Sequence, residues 1–149
     1  MPSASIKKEI SCSKENIIKM VLDIEKYPEF VPWCIEGKIH EIINKNNIIE
    51  ITADLTIGKS FFRETYKSFI TYNKKLDKIL VTNINGPLKH LKNEWIFKQK
   101  GKKSEIDFHI DFELKNKILS LLMNKSFDIA LIKIVDAFEK RAIDLFNDG

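Results

Sequence analysis

Residues 116–146, NKILSLLMNKSFDIALIKIVDAFEKRAIDLF, decide the fold of this chain. Apolar residues recur in this stretch every three or four positions, which is the period of one face of an α-helix. Charged residues stand between them, and neither proline nor glycine interrupts the pattern. A helix of this length is about 45 Å long and cannot bury its apolar stripe alone, so the rest of the chain must cover it. The stripe consists of Phe127, Leu131, Ile134, Val135, Phe138, Ala142 and Leu145.

Alternating polar and apolar residues earlier in the chain predict the sheet that covers this helix. In residues 48–57, Ile49, Ile51 and Ala53 share one face and polar residues share the other, which is typical of a half-buried antiparallel strand. Similar segments are separated by turns that contain Asn, Gly and Lys. We expect strands over residues 5–11, 35–43, 48–57, 61–72, 78–83, 91–97 and 106–114.

Two further features complete the predicted order of elements. Ser13 is suited to cap a helix over residues 14–24, where apolar residues follow at helical spacing. Pro28 and Pro32 allow at most one helical turn in residues 27–34, because proline lacks a backbone donor and restricts the residue before it. The order predicts an α+β fold in which a curved antiparallel sheet of about seven strands grips the C-terminal helix.

Length and composition are those of an ordinary globular protein. The 149 residues are most simply one domain, spanning 1–149, and 44% of them are apolar. The first residues lack the apolar core of a signal peptide, and no uncharged apolar stretch approaches the ~20 residues that span a bilayer. Cys12 and Cys34 form neither a disulfide framework nor a metal-site spacing, so we expect reduced thiols in a cytoplasmic protein. The net charge of +4 is too small to indicate nucleic-acid binding by itself.

No catalytic or metal-binding motif stands out. His40, His90 and His109 lie on different segments, and none has a second ligand at the spacing of a metal site. His109 alternates with apolar neighbours and is therefore expected to point outward. The chain contains no glycine-rich phosphate loop, nucleophile elbow or pair of carboxylates at catalytic spacing. We expect no metal, no cofactor and no enzymatic activity.

One segment resembles a known signature. Residues 23–34, DIEKYPEFVPWC, are similar to the signature of the coenzyme Q-binding protein family. That family lies in the START-like, helix-grip superfamily, which is also labelled polyketide cyclase/dehydrase. Three other segments agree with the family pattern: residues 66–70 (YKSFI), residues 86–91 (GPLKHL) with Trp95 and Phe97 after them, and residues 137–142 (AFEKRA). The resemblance extends from about Ile6 to Phe146.

The resemblance implies a helix-grip fold and a non-catalytic role. A member of this family would bind an isoprenoid quinone, here most simply ubiquinone, and support respiratory electron transport in a bacterium, in the cytoplasm or peripherally at the inner membrane. The family also includes ribosome-association toxins, which bind the large ribosomal subunit and block subunit joining. The superfamily label leaves a polyketide cyclase or dehydratase, dependent on Glu64 or Tyr66, as a third reading. The motifs do not separate these alternatives.

A cavity between sheet and helix is the predicted ligand site, although the same apolar faces would also suit a dry core. The aromatic turn at residues 27–34 either forms a lip of this cavity, which stacks on a ring-shaped headgroup, or simply closes the core. Glu64 shares a face with Tyr66 and either holds a quinone oxygen together with Tyr66 or Ser68, or lies in water near the sheet edge. The predicted lining consists of Phe30, Trp33, Glu64, Tyr66, Leu91, Trp95, Phe112, Phe127 and Leu131.

The two ends of the predicted sheet differ in character. Three turns at one end form a basic rim, which either meets anionic lipid or RNA phosphate or serves solubility. Apolar residues at the other end predict a gate that opens the cavity or touches a membrane surface, with a homodimer contact as the alternative. The rim includes Lys74, Lys75, Lys100, Lys102 and Lys103, and the gate includes Leu88, Leu119, Leu122 and Met123.

Overall fold

A computed structural model describes residues 3–59, 62–85, 88–115 and 117–146, without the side chains of residues 59, 62, 85, 88, 112, 114 and 117–127. Seven strands and two α-helices follow one another in the predicted order, with a 3₁₀ helix (Ile24–Glu29) between α1 and β2. Their bounds are β1 (Ser3–Ile10), α1 (Lys14–Leu22), β2 (Cys34–Lys45), β3 (Ile48–Lys59), β4 (Phe62–Asn73), β5 (Lys78–Asn85), β6 (Leu88–Lys100), β7 (Lys103–Leu114) and α2 (Lys117–Phe146).

The strands form one curved antiparallel sheet in the order β1-β7-β6-β5-β4-β3-β2. Strands β2 to β7 are a meander, and β1 pairs with β7, for example Ile6 with Phe108. Successive turns of a meander alternate between the two ends of the sheet. The β2–β3, β4–β5 and β6–β7 turns therefore share one end, which we call the lysine end. The first two of these turns are joined directly, because the Lys74 N–H donates to the Asn47 carbonyl at 2.8 Å.

The core lies between the concave face of the sheet, α1 and the C-terminal half of α2. Residues with the predicted strand parity, such as Ile51, Ile70 and Ile79, are buried there. The ammonium group of Lys8 on β1 lies 3.1 Å from the carboxylates of both Asp136 and Glu139, which ties the first strand to the helix. The helix contributes Leu131, Val135, Phe138 and Ala142 to the core.

The predicted stripe of α2 is wrong at its last position. Leu145 is 51% exposed, and the next residue, Phe146, packs against the core instead. The reason is helical geometry: at 3.6 residues per turn an apolar stripe drifts around the helix, and a step of four from Ala142 keeps contact with the core where a step of three does not. No helix in the described ranges has the length and apolar character that crossing a bilayer requires.

Two predicted helical boundaries also need correction. Helix α1 begins as predicted, with Ser13 Oγ accepting a hydrogen bond from the Asn16 N–H at 3.2 Å, but it ends at Leu22 rather than at residue 24. The helical turn expected within residues 27–34 begins earlier and forms a 3₁₀ helix that contains Pro28. Proline fits there because the hydrogen bonds of this segment are donated by other residues, including Lys26 to the Asp23 carbonyl and Phe30 to the Tyr27 carbonyl, both at 3.1 Å.

Candidate functional site

On the concave face, most of the fully buried residues lie nearer the lysine end than the half-buried ones. Inward-facing residues near that end, such as Ile79 and Phe97, are almost fully buried. Farther along the same strands, residues of the same parity are half-buried, although their faces point toward α2. We call this set the half-buried wall: Leu55, Tyr66, Val81, Asn83, Asn93 and Ile110. An inward face that keeps accessible surface is what the wall of a ligand cavity presents.

Tyr66 of the half-buried wall and Cys34, which lies near it on β2, are both uncharged groups. Tyr66 on β4 lies opposite Leu55 on β3, and Cys34 lies opposite Ile57 two residues farther along β3. Burial raises the pKa of the Tyr66 hydroxyl above its ordinary value, and burial raises the pKa of the Cys34 thiol to about 11. Both groups are therefore protonated near neutral pH. Tyr66 is available as a neutral hydrogen-bond donor, and Cys34 is not a thiolate nucleophile.

The aromatic turn at residues 27–34 is fastened to α2. The rings of Tyr27 and Phe30 both meet the Phe138 ring edge to face, with centroids 5.5 and 5.0 Å away. The Arg141 guanidinium lies 5.1 Å from the centroid of the Phe30 ring, and its Nη2 donates to Glu29 at 2.6 Å. This hydrogen bond lowers the pKa of the Glu29 carboxyl below its ordinary value.

Trp33 ends this turn in a backbone conformation that non-glycine residues rarely adopt. Its φ angle is +63°, in the left-handed region, and its carbonyl accepts a hydrogen bond from the Gly58 N–H at 2.9 Å. Cys34, the next residue, opens β2. The left-handed residue therefore directs the chain from the turn into the edge strand, beside the end of β3. A strained backbone at such a position is a frequent mark of a functional site.

The structure places the other predicted lining residues at two depths. Leu91 is buried on β6, and Trp95 and Leu131 are deeper, within the packed core. The Trp95 ring lies 4.5 Å from that of Phe108 and 5.2 Å from that of Phe138. Trp95 borders the half-buried wall on its lysine-end side, whereas Leu91 lies beyond Asn93, toward the opposite end of β6.

Glu64 and Ser68 differ in their surroundings. Glu64 is half-buried on the face of Tyr66, and its carboxylate has no hydrogen bond or ion pair within the described part of the chain, while its neighbour Arg63 is exposed as expected. Ser68 is buried, and its hydroxyl donates to the Ala53 carbonyl at 3.4 Å. Glu64 is thus free to meet a ligand or water, whereas the Ser68 hydroxyl is already engaged.

Several predicted site residues cannot be placed by their side chains. Phe112 and Phe127 of the lining lie outside the described side chains, as do all four gate residues: Leu88, Leu119, Leu122 and Met123. The backbone places the start of α2 after β7, at the end of the sheet opposite the lysine end. The gate therefore stays a prediction about that end of the molecule.

Two polar residues of the wall were not predicted. Asn83 and Asn93 stand at inward-facing positions of β5 and β6, in the parity of Val81, Leu91 and Trp95. The signal was present in the sequence, since an asparagine that shares a strand face with buried tryptophan and leucine interrupts an otherwise apolar stripe. The prediction treated these strand faces as wholly apolar and therefore did not include the two asparagines.

A small groove on the outer face of the sheet is a different kind of surface. Its walls are polar, and its volume of about 180 Å³ is below the range of about 300–1,000 Å³ that is usual for small-molecule sites. Beside it, His40 Nε2 lies 2.8 Å from an Asp54 carboxylate oxygen. Polar walls and small size do not suit an isoprenoid. The groove is lined by Glu36, Lys38, Asp54, Thr56 and Thr65.

The histidines and carboxylates do not assemble a metal site in the part of the chain that the structure describes. His109 faces outward as predicted. Its ring nitrogens lie 2.6 Å from the Ser5 hydroxyl and 3.2 Å from an Asp111 carboxylate oxygen.

The lysine end carries both paired and unpaired ammonium groups. Lys100 lies 2.6 Å from Glu105, and Lys78 lies 2.8 Å from Glu94. These two pairs neutralise part of the predicted basic rim. Four exposed lysines of the same turns have no ion pair among the described residues: Lys74, Lys75, Lys102 and Lys103.

Comparison with known proteins agrees with this geometry. Residues 12–139 match the family described as polyketide cyclase/dehydrase and lipid transport. The chain is 34% identical to the ribosome association toxin RatA of Rickettsia prowazekii, over 89% of this chain and 90% of that protein. It is 28% identical to the mitochondrial coenzyme Q-binding protein COQ10 of Dictyostelium discoideum, over 95% of this chain and 69% of that protein.

The fold is also that of a solved structure. A START superfamily protein from Mycobacterium smegmatis superposes with a TM-score of 0.79, at 18% identity, and covers 96% of this chain and 98% of its own. The predicted resemblance and the predicted START-like, helix-grip fold are both confirmed.

Proposed function

The chain belongs to the family of polyketide cyclases, dehydrases and lipid-transport proteins, and from that premise we propose that it binds an isoprenoid lipid, ubiquinone first of all, between the sheet and α2. The half-buried wall carries this proposal. It is an inward face of apolar and neutral polar residues, placed where the packed core ends. The relative named as a coenzyme Q-binding protein supplies the ligand class.

Burial is the proposed mechanism of binding. Each CH₂ group removed from water contributes roughly 0.8 kcal/mol, so several isoprene units threaded along an apolar wall can bind without any chemical step. The headgroup would lie near the aromatic turn, where Trp33 and Phe30 offer ring surfaces. Tyr66 would donate a hydrogen bond to a quinone oxygen, because burial raises the pKa of its hydroxyl and keeps the proton in place.

We propose a carrier rather than an enzyme. The raised pKa of the Cys34 thiol argues against a cysteine nucleophile, and the two relatives named above do not carry names of enzymes. A cyclase or dehydratase would need Glu64 or Tyr66 as its acid or base. If a polyketide substrate were turned over, Glu64→Gln should abolish that turnover while the fold is unchanged.

Mass spectrometry of the bound lipid tests the carrier proposal. The protein is purified from a lysate of its own cells that still contains membranes, and an organic extract is compared with that of a mock purification. Near-stoichiometric quinone is the expected result. An extract without any isoprenoid, from protein that is folded by circular dichroism, would overturn the proposal.

Beside the carrier role, the predicted gate near the start of α2 would contact the inner membrane, or a second copy of the chain.

Ribosome association is the second candidate function. It is favoured by the relative named as a ribosome association toxin and by the four unpaired lysines at the lysine end. Ribosomal RNA is a dense array of phosphates that such a surface would contact. The test is co-sedimentation with purified large ribosomal subunits at low and moderate salt. A protein that stays in the supernatant at every salt concentration does not have this function.

A further inference from the structure

Asn93 is a polar residue of the half-buried wall whose side-chain oxygen lacks a hydrogen bond among the described residues. It lies between Leu91 and Trp95 on the inward face of β6, and its cross-strand neighbours are Val81 on β5 and Ile110 on β7. Its Oδ1 atom is buried and has no hydrogen-bond partner within the described part of the chain. Leaving a buried acceptor without a hydrogen bond is unfavourable, so a group that donates to it would be favoured.

The sheet opens beside Asn93. The ladder between β5 and β6 ends at the pair Thr82 and Lys92, and beyond it β5 continues along β4 while β6 continues along β7. The side chain of Asn83 spans this opening, because its Oδ1 accepts a hydrogen bond from the Leu91 N–H at 3.0 Å. The acceptor of Asn83 is therefore used inside the protein, and the acceptor of Asn93 is not.

The surroundings of Asn93 define what kind of molecule would satisfy it. The inward-facing neighbours of Asn93 are all apolar: Leu91 and Trp95 on the same strand, and Val81 and Ile110 on the adjacent strands. Among the described residues, none of these neighbours is charged. A cation or a strongly hydrated group would lose its water there without compensation. A hydroxyl attached to an apolar ring or chain matches both the single acceptor and the apolar walls.

We propose that Asn93 is a second headgroup-recognition residue, in addition to Tyr66, and that it accepts a hydrogen bond from a ligand hydroxyl. This inference rests on the proposed lipid-binding function and refines it. A benzoquinone has carbonyl oxygens, which cannot donate, whereas the corresponding hydroquinone has two hydroxyls, which can. The favoured ligand class is therefore the hydroxyl-bearing form of an isoprenoid ring, in preference to its diketone form.

Anaerobic titration with a soluble pair of ligands tests this preference. Decylubiquinol and decylubiquinone are each added to the purified protein, and binding is followed by the quenching of tryptophan fluorescence. The expected result is about tenfold tighter binding of the quinol, since one such hydrogen bond contributes roughly 1.4 kcal/mol. Asn93→Leu, which has a similar shape and no acceptor, should lose the preference and still bind the quinone.

The matched control is Lys92→Leu, one residue earlier on the same strand and exposed on the outer face. It should keep the preference of the unmodified protein. Equal affinities for the two forms, or a preference that survives in Asn93→Leu, would overturn the role of Asn93 and leave lipid binding intact. Binding of neither form would overturn the proposed function itself. Because Asn93→Leu removes an unpaired buried acceptor, its midpoint of urea unfolding should not fall, which separates loss of recognition from loss of the fold.

Discussion

At Gly37, β2 passes close to the backbone of the 3₁₀ helix. A Cβ atom at this position would lie 2.3 Å from the carbonyl oxygen of Ile24, which is backbone and cannot swing away. The approach is useful to the site, because it holds the aromatic turn against the edge strand. A second link reinforces it, since the Ile39 N–H donates to Glu25 Oε2 at 3.0 Å.

Gly37→Ala should therefore destabilise the protein, by about 1–3 kcal/mol, because the added methyl group forces the backbone of the 3₁₀ helix to move. Urea unfolding measures the change. Gly101→Asn is the matched control: Gly101 has a φ angle of +61° and open space around the added Cβ, and asparagine tolerates that conformation. An alanine at position 37 that leaves the unfolding midpoint unchanged would show that the two segments do not pack as closely as described.

The aromatic cluster around Phe138, in the C-terminal half of α2, connects the core to the aromatic turn. Phe138 is 3% exposed and meets the rings of Tyr27, Phe30 and Trp95. We expect Phe138→Ala to lower the free energy of unfolding by about 3–5 kcal/mol, because a large cavity replaces the ring. On the same helix Ile132 is 51% exposed, and Ile132→Ala should change stability by no more than about 0.5 kcal/mol. Equal losses in the two variants would mean that α2 is oriented differently on the sheet.

The ion pair between Glu29 and Arg141 makes the contact between the aromatic turn and α2 depend on pH. The pKa of Glu29 is lowered in the folded protein by the hydrogen bond from Arg141 and by Lys26, so the pair contributes stability above the ordinary pKa of 4.5 and loses it as pH falls through the lower folded value. Glu29→Gln should reduce Tm at pH 7 by no more than about 4 °C, as is usual for an exposed pair, and the reduction should shrink as pH falls through the folded pKa of Glu29. A difference that persists unchanged in acid would assign the effect to packing rather than to charge.

At the scale of elements, the alternation of the strands and the period of α2 were sufficient to predict the fold. Both depend on one buried face per element, which the strands of this sheet have except for the edge strand β2, where no residue is fully buried. The errors lie where that condition weakens. Leu145 was placed in the stripe because the final turn of α2 offers two apolar neighbours, and Phe146 takes the contact. The 3₁₀ helix begins earlier than predicted, at Ile24, because the prolines restrict only themselves and the residues directly before them.

The site was less predictable than the fold, for a physical reason. Strand parity shows that Tyr66, Asn83 and Asn93 point inward, but it does not show which inward residues the helix covers. Which inward-facing residues are covered depends on the position of α2 on the sheet, and the sequence of a single strand does not encode that position. Trp95 was expected to line the cavity and is packed in the core, whereas Asn93, two residues earlier, belongs to the half-buried wall.

The whole molecule has two unlike ends, and this polarity follows from the meander. The lysine end holds the β2–β3, β4–β5 and β6–β7 turns, the start of α1 and much of the packed core, and the opposite end holds the start of α2. Lys14 joins two elements at the lysine end, since its ammonium group lies 2.8 Å from Asp77 and its N–H donates to Gln99 at 2.8 Å. A firmly connected basic end and a wall that opens toward the other end allow the two candidate functions to use separate surfaces.

Charge reversal at the lysine end tests whether that end binds RNA. Lys102→Glu with Lys103→Glu should weaken co-sedimentation with large ribosomal subunits and reduce the salt dependence of binding by about two phosphate contacts. The control reverses Lys133 and Lys140, two exposed lysines of α2 without an ion pair among the described residues, and changes the net charge of +4 by the same amount. If both double variants lose binding equally, the attraction depends on net charge and not on the lysine end. Because the altered turns are remote from the half-buried wall, quinone binding should be the same in both variants, and a parallel loss there would show that the two surfaces are not independent.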